Sequence, residues 1–354
     1  SEPTTFYVDN EPYTPSNFKS IYPNMDVSMI YALATSDNIY AMKTHLFLGE
    51  DKLVEILNRF NITKDAKAIP SLALGTHEVT LQNLTEGYAT LANMGVKNES
   101  YLIDKITTFD DKVLYEHKTT SSSKIADYND VFLLTTAMTS VFDRNVSVNM
   151  LPTGARIASL LSHDFAAKSG STDYDNLIVG YNPDICIGVW TGYDDNRSIT
   201  SSTETSFGKS IWARTINDYA TVHNSTWYET PENIIGIELN PITGFYATTN
   251  EYTKTIYFRQ NNIPWFIELL YKKEENYLIY IIQLVVNSLW TLLFFGFNLI
   301  FLSFLWILLL IVLVIVMIVS FYKTNKWAGI LNIPYLLWLI FAAYLNFGIY
   351  ILNR

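Results

Sequence analysis

The chain has 354 residues, 49% of them hydrophobic and 15% aromatic, with charged residues at only 16% and a formal net charge of −10. This composition excludes a disordered chain, which needs few apolar residues and abundant charge, and the acidic balance excludes a nucleic-acid binder with the usual basic footprint. The single cysteine, Cys186, excludes an internal disulfide framework and a cysteine-rich zinc site.

The charge is unevenly spread. Residues 265–354 carry Lys272, Lys273, Lys323, Lys326 and Arg354 against Glu268, Glu274 and Glu275, a net +2, which leaves −12 on residues 1–264. An acidic soluble domain (1–264) followed by a membrane segment (265–354) is the predicted organisation. The start at Ser1 reads as that of a processed chain or of a piece of a longer one.

Residues 1–26 are polar and rich in Pro, Tyr and Asn, and are predicted as extended loop. Val27 to Gly49 has helical apolar spacing, interrupted at Ser36-Asp37-Asn38, with Gly49 as a C-cap. Further helices are predicted over Asp51–Phe60, His77–Gly95 and Val131–Phe142, with two short strands around the Asp110-Asp111 turn. The pattern then changes to short alternating runs. "FAAKSGST", "NLIVGY" and "ICIGVWTGY" read as adjacent antiparallel strands, and "NIIGIELNPITGFYAT" as another strand–turn–strand. Helices first and strands later favour an α+β domain whose antiparallel sheet is flanked by helices.

From Asn276 to Tyr322 there is no Asp, Glu, Lys or Arg, and the same holds from Trp327 to Asn353. At about 1.5 Å per residue these runs suffice for three crossings of a hydrocarbon core of roughly 30 Å. Helices are predicted near 277–296, 299–321 and 329–351. Gln283, Asn287, Trp290 and Phe294 share one face of the first. Polar groups at membrane depth face partners or a ligand. Tyr335, Trp338, Ala342 and Asn346 form a stripe on the third, and a Leu345…Tyr350…Arg354 pattern fits a proposed cholesterol motif. Lys272 and Lys273 before the first helix, with Lys323 and Lys326 between the second and third, lie on one side, and Arg354 on the other. The positive-inside rule therefore places residues 1–264 in the cytoplasm.

Two motifs carry chemistry: Ser36-Asp37-Asn38 between helical segments, and Lys168-Ser169-Gly170-Ser171 on a predicted strand. S-D-N and K-T-G accompany an S-x-x-K nucleophile in penicillin-recognising enzymes, and serine in place of threonine keeps the hydroxyl. Acyl transfer needs a base beside a hydroxyl, and a lysine serves when burial and other cations favour its neutral form. A substrate carboxylate needs a cation and hydroxyl donors, here Lys168, Ser169 and Ser171. Gly170 permits a ligand backbone to approach the strand closely. The five histidines show no metal-ligand spacing, no phosphate-binding glycine loop is present, and Asp194-Asp195 reads as structural. Neither a metal nor a cofactor is predicted.

The segments "YALATSDNIYAMKTHLFLG", "PSLALGTHEVTLQNLTEGYATLANMG", "AAKSGSTDYDNLIVGYNPDICIGVWTGYDDN" and "GKSIWA" resemble, in order, the transpeptidase domain of class A penicillin-binding proteins, from about Tyr13 to Pro264. The resemblance implies a penicillin-binding, β-lactamase-like fold acting on the D-Ala-D-Ala stem peptides of peptidoglycan and on β-lactams, and therefore an extracytoplasmic domain, against the cytoplasmic placement given by the positive-inside rule. It implies that Ser36 relays protons, Asn38 binds the substrate's amide carbonyl, Lys168 sets the electrostatics, Ser169 binds the carboxylate, and Ser171 offers its backbone N–H to the oxyanion. Asp37 reads as a local cap or a solvated side chain. The family's S-x-x-K serine lies further upstream of S-x-N than the 35 residues available. The strings Ser16…Lys19, Ser121…Lys124, Ser206…Lys209 and Ser320…Lys323 sit in the wrong places for it. The chain is therefore expected to lack the nucleophile and the glycosyltransferase domain, and to be inactive as it stands.

"QLVVNSLWTLLFFG" (Gln283 to Gly296) and "IPYLLWLIFAAYLNFGIYILN" (Ile333 to Asn353) resemble the third and fifth helices of the translocator, or tryptophan-rich sensory, protein family. That resemblance implies a lipid-bilayer location and a pocket for porphyrin-like ligands lined by Asn287, Trp290 and Trp338, incomplete without the family's two N-terminal helices. Two alternatives to the transpeptidase reading follow: a translocator-like ligand binder, and a D,D-carboxypeptidase or β-lactamase-like hydrolase. The segments "GTHEVT" and "GYDDN" favour the transpeptidase.

Overall fold

The computed structural model describes residues 1–354 apart from 9–10, 119–121, 202, 249, 265–266, 268–272, 325 and 354, and apart from the side chains of 273–278 and 323–324. Ser121, Lys272 and Arg354 thus lie outside the described residues, as do the side chains of Lys273 and Lys323. Contacts divide the chain into two units, Ser1–Asn261 and Asn262–Arg354.

In the first unit, Phe6–Val8 (β1) and Glu11–Tyr13 (β2) pair as a short antiparallel hairpin where sequence predicts only loop. The helical run then divides at Ser36. Met29–Thr35 (α1) is capped by Ser28, whose hydroxyl accepts from the Tyr31 N–H, and Asn38–Leu48 (α2) by Asp37, which accepts from Tyr40 N–H. Such caps satisfy N–H groups that the helix itself leaves orphaned. Glu50–Arg59 (α3) and Leu81–Ala92 (α4) follow, then the short strands Val96–Lys97 (β3), Lys105–Thr107 (β4), Val113–Glu116 (β5) and Ser123–Lys124 (β6). Tyr128–Met138 (α5) ends in a 3-10 turn over Thr139–Phe142.

Ala166–Ser171 (β7), Asp175–Tyr181 (β8) and Cys186–Gly192 (β9) are neighbouring antiparallel strands in the order β7-β8-β9, so β7 is an edge. Their alternation sets a two-sided core. Ala167 and Ile178 face Trp212, Ala213, Ile216 and Ala220 of Glu204–His223 (α6). Ala166 and Tyr181 face Met138 of α5 and, from α4, Tyr88 and Leu91. Trp212 is fully buried, and Gly180 gives it room. A Cβ at Gly180 would lie 2.4 Å from Trp212 Cζ2, 2.6 Å from Ala167 Cβ and 2.8 Å from the Ala166 carbonyl. Gly180→Ala should therefore cost about 1–3 kcal/mol by overpacking, read as an earlier chemical-unfolding midpoint of this unit in the full chain.

Ile234–Leu239 (β10) pairs with Lys254–Arg259 (β11), not with the adjacent "GFYAT" run. Side chains satisfy the intervening backbone instead. Asn240 Oδ1 accepts from the N–H groups of Ile242 and Thr243, Glu251 accepts from Thr248 N–H, and Gly244 turns the chain at φ 77°. Within the run itself the Phe245 N–H goes to Thr243 Oγ1 and the Thr248 N–H to Glu251, which removes donors a second strand would use.

The second unit contains Lys273–Thr291 (α7), a π-turn at Leu292–Gly296, Ile300–Thr324 (α8), Lys326–Ile330 (α9) and Ile333–Leu352 (α10). Three spans, Ile279–Gly296, Ile300–Tyr322 and Lys326–Leu352, are long and apolar enough to cross a membrane. Ile307, Leu310, Val314 and Met317 form a buried stripe on α8 that packs against Leu339 and Ala343 of α10. Polar groups pair between helices, as hydrocarbon surroundings require. Tyr335 Oη donates to Gln283 Oε1 at 3.2 Å, and Trp306 Nε1 to the Val286 carbonyl at 2.9 Å.

Candidate active site

Ser36 sits at the junction of α1 and α2 in a left-handed conformation (φ 58°, ψ 55°), which ends one helix and lets the next begin at Asp37. A positive φ is uncommon for serine and is held here by its surroundings. Asp37 is 4% exposed and reads as a cap, not as a solvated group. Its carboxylate also accepts from Asn17 Nδ2 at 2.8 Å and from Ser1 Oγ at 2.9 Å. Asn17, itself buried, accepts from the Asn38 backbone N–H at 2.9 Å, and Asn38 Nδ2 donates to the Ser16 carbonyl at 2.7 Å. Two loop residues thus lock the S-D-N turn from outside it.

Lys168 meets this turn from β7. Its Nζ lies 2.7 Å from Ser36 Oγ and donates to the Ser169 carbonyl at 2.9 Å. No carboxylate lies within salt-bridge distance of Lys168 among the described residues. Burial first, and the charge of Lys209 second, push its amine down to about 8. Burial of an uncompensated ammonium favours the neutral amine, and a neutral amine can take the Ser36 hydroxyl proton and return it.

Along the same edge strand Ser169 is half-buried, while Gly170 and Ser171 are exposed. Open space surrounds the position where a Cβ of Gly170 would stand. An edge strand with unpaired backbone groups can accept an extended ligand as a further strand. The structure brings Ser36 and Lys168 together, with Asn38 two residues on and its amide turned to the Ser16 carbonyl, and continues through Ser169–Ser171 along the open edge.

Among the described residues, neither Ser16 with Lys19 nor Ser206 with Lys209 forms a serine–lysine pair. Ser206 Oγ donates to the Thr203 carbonyl and Lys209 Nζ to the Thr153 carbonyl. The Ser16 carbonyl is held by Asn38, and Ser320 lies on α8 of the other unit. Ser121 is outside the described residues.

The membrane unit has a cleft of about 240 Å³ lined by Trp290, Phe294, Trp338, Phe341, Ala342, Leu345, Asn346 and Ile349. Trp290 and Trp338 are thus brought together, and Asn287 is not among the lining residues. Buried Asn346 supplies the polar group instead. With its amide oriented to satisfy both neighbours, it accepts from Trp290 Nε1 at 3.1 Å and donates to the Ile300 carbonyl at 3.2 Å.

Residues 3–204 match the model of the penicillin binding protein transpeptidase domain. The chain belongs to that family. Penicillin-binding protein 2D of Bacillus subtilis is 40% identical over 247 residues, which cover 69% of this chain and 36% of that protein. Penicillin-binding protein 1A of Aquifex aeolicus is 31% identical, over 65% of this chain and 31% of its own length. The chain thus spans about a third of the length of these curated relatives. Penicillin-binding protein 1A from Haemophilus influenzae shares the fold, with a TM-score of 0.65 at 20% identity over 74% of this chain and 44% of that one. Residues 242–352 match the TspO/MBR family model. The chain is a membrane protein that joins a penicillin-binding transpeptidase-family domain to TspO/MBR-like helices.

Proposed function

We propose that Ser1–Asn261 forms the carboxylate-binding and proton-relay part of a serine D,D-transpeptidase site, shaped for D-Ala-D-Ala stem peptides and for β-lactams. The contact of 2.7 Å between Lys168 Nζ and Ser36 Oγ carries this reading. Ser36 would hand a proton to the leaving amine and recover it through Lys168. Asn38 would hold the amide carbonyl, Ser169 and Lys168 the terminal carboxylate, and Ser171 the oxyanion through its N–H. These groups orient and relay; the attacking oxygen is a separate requirement, and neither Ser16 nor Ser206 stands with its S-x-x-K lysine as a base. A nucleophile and its base act as one unit, so removing either abolishes most of the rate gain.

The chain alone should therefore form no stable acyl-enzyme. Intact-mass spectrometry after incubation with excess penicillin tests this. An unmodified mass is the expected result, and a stoichiometric adduct mapped to any serine of the chain would overturn it.

A second reading concerns the membrane unit. The Trp290–Trp338 cleft supports a flat hydrophobic ligand of the porphyrin type, but its volume falls below the roughly 300–1,000 Å³ of typical ligand pockets. Partial contact is the most this cleft offers. On the positive-inside rule the basic flanks of the helices support a cytoplasmic Ser1–Asn261, whereas the transpeptidase reading supports an extracytoplasmic one.

A further inference from the structure

Lys209 is half-buried, at the edge of the apolar face of α6. Trp212, Ala213, Ile216 and Ala220, at i+3, i+4, i+7 and i+11 from it, are fully buried. A lysine on such a stripe normally needs an acid beside it. Lys209 has none within salt-bridge distance among the described residues, and its Nζ donates to the Thr153 carbonyl at 2.9 Å. The Thr153 N–H donates in turn to the Ala34 carbonyl at 2.9 Å, in the last turn of α1, two residues before Ser36. Gly154 N–H to the Val141 carbonyl, at 2.9 Å, anchors the same loop from behind. Gly208 lets α6 pack close to β9, since a Cβ there would sit 3.1 Å from Thr191 Oγ1.

Resting on the reading of Lys168 and Ser36 above, we propose that Lys209 is a positioning residue for this site: it ties α6 through Thr153 to the Ser36 turn and sets a second cation beside Lys168. The chemistry follows from charge. A second, half-buried ammonium discourages protonation of Lys168, leaving its amine free to accept the Ser36 proton. The surrounding charges allow this. Arg156 is the charged neighbour that acts on Lys209. The Asp37 carboxylate is engaged by Ser1, Asn17 and Tyr40 N–H, and Asp143 is paired with Lys254. Burial, then Arg156, holds Lys209 itself below the usual lysine range.

The test is competitive acetylation of the full chain in lipid nanodiscs with trace acetic anhydride across pH 6–11, with Lys168 and the other lysines quantified by peptide mass spectrometry. In the parent protein Lys168 should label with a midpoint near 8. Lys209→Gln can keep the bond to the Thr153 carbonyl but removes the charge, and it should raise the Lys168 midpoint by about one pH unit. Lys209→Arg keeps the charge and should leave the midpoint unraised. An unchanged midpoint in Lys209→Gln would overturn the proposal and leave Lys209 as a carbonyl cap only. Should the Gln variant fail to fold, Lys209→Arg decides: a raised midpoint there overturns it too. Failure of the transpeptidase reading shows elsewhere, as indifference of ligand binding to the ligand's carboxylate.

Discussion

Lys168→Met should stabilise the soluble unit near pH 6 by about 1–2 kcal/mol, and the advantage should shrink and reverse at high pH. The sign follows from the proton count. Lys168 titrates at about 8 in the folded chain against 10.5 for an unperturbed lysine. Below pH 8 both folded and unfolded chains hold the proton, and the folded state bears the cost of a buried ammonium, up to about 3 kcal/mol for such a shift. Methionine fills similar volume without that cost, although it forfeits the bonds to Ser36 and the Ser169 carbonyl, each worth about 1 kcal/mol. Between pH 8 and about 10.4 the unfolded parent chain binds the proton that the folded chain releases, so parent stability rises with pH. Above that range only the lost bonds remain, and the variant should be the weaker protein. Denaturant titrations of the full chain, followed through the protection of peptides from β7 and β8, would show the crossing. A difference that is constant with pH would mean that Lys168 is not a desolvated cation. Such stability given up at a site is the usual companion of function.

Protease added to intact spheroplasts should leave Ser1–Asn261 uncut, whereas opened membranes should expose it to rapid cleavage. Lys272 and Lys273 precede the first span, Ile279–Gly296, and Lys323 and Lys326 lie at the junction of the second and third, so zero and two crossings respectively separate them from the soluble unit, and this basic side goes with it. The exposed segment around Leu102, Phe109 and Leu114, next to β4 and β5, offers ready cleavage sites once reached. Peptidoglycan lies on the other side of the membrane. A protected domain would mean that the relay site and its proposed substrate occupy different compartments, and that the two halves of the chain were not shaped together for cell-wall cross-linking. Cleavage from outside in sealed cells would contradict the cytoplasmic assignment.

What sequence made legible has a physical pattern. Ser36-Asp37-Asn38 and Lys168-Ser169-Gly170-Ser171 were readable because each motif is contiguous and its flanks have strong periodicity. The three-stranded sheet followed from period-2 alternation between turn signals. Asn17 and Lys209 were missed because their roles depend on contacts far along the chain, Asn17 to Asp37 and Lys209 to Thr153. A usable signal existed for Lys209, a lysine on an otherwise apolar helical face. The β1–β2 hairpin escaped because three-residue strands show no periodicity. The strand expected over "GFYAT" does not form because Thr243 and Glu251 capture the Phe245 and Thr248 N–H groups. In the membrane unit, helical spacing put Asn287 with Trp290, but the cleft takes its polar group from Asn346 on α10. Spacing on one helix does not show which helix faces it.

The most direct test of the carboxylate-binding site compares the binding of an N-acylated D-Ala-D-Ala dipeptide with that of its C-terminal amide, by calorimetry on the full chain in nanodiscs at pH 7. A charge-assisted contact from Lys168, with Ser169 beside it, should make the acid bind about tenfold tighter or more. The preference should disappear in Lys168→Met. Equal affinity for acid and amide in the parent chain would contradict the assignment of β7 and the Ser36 turn as a carboxylate-binding site.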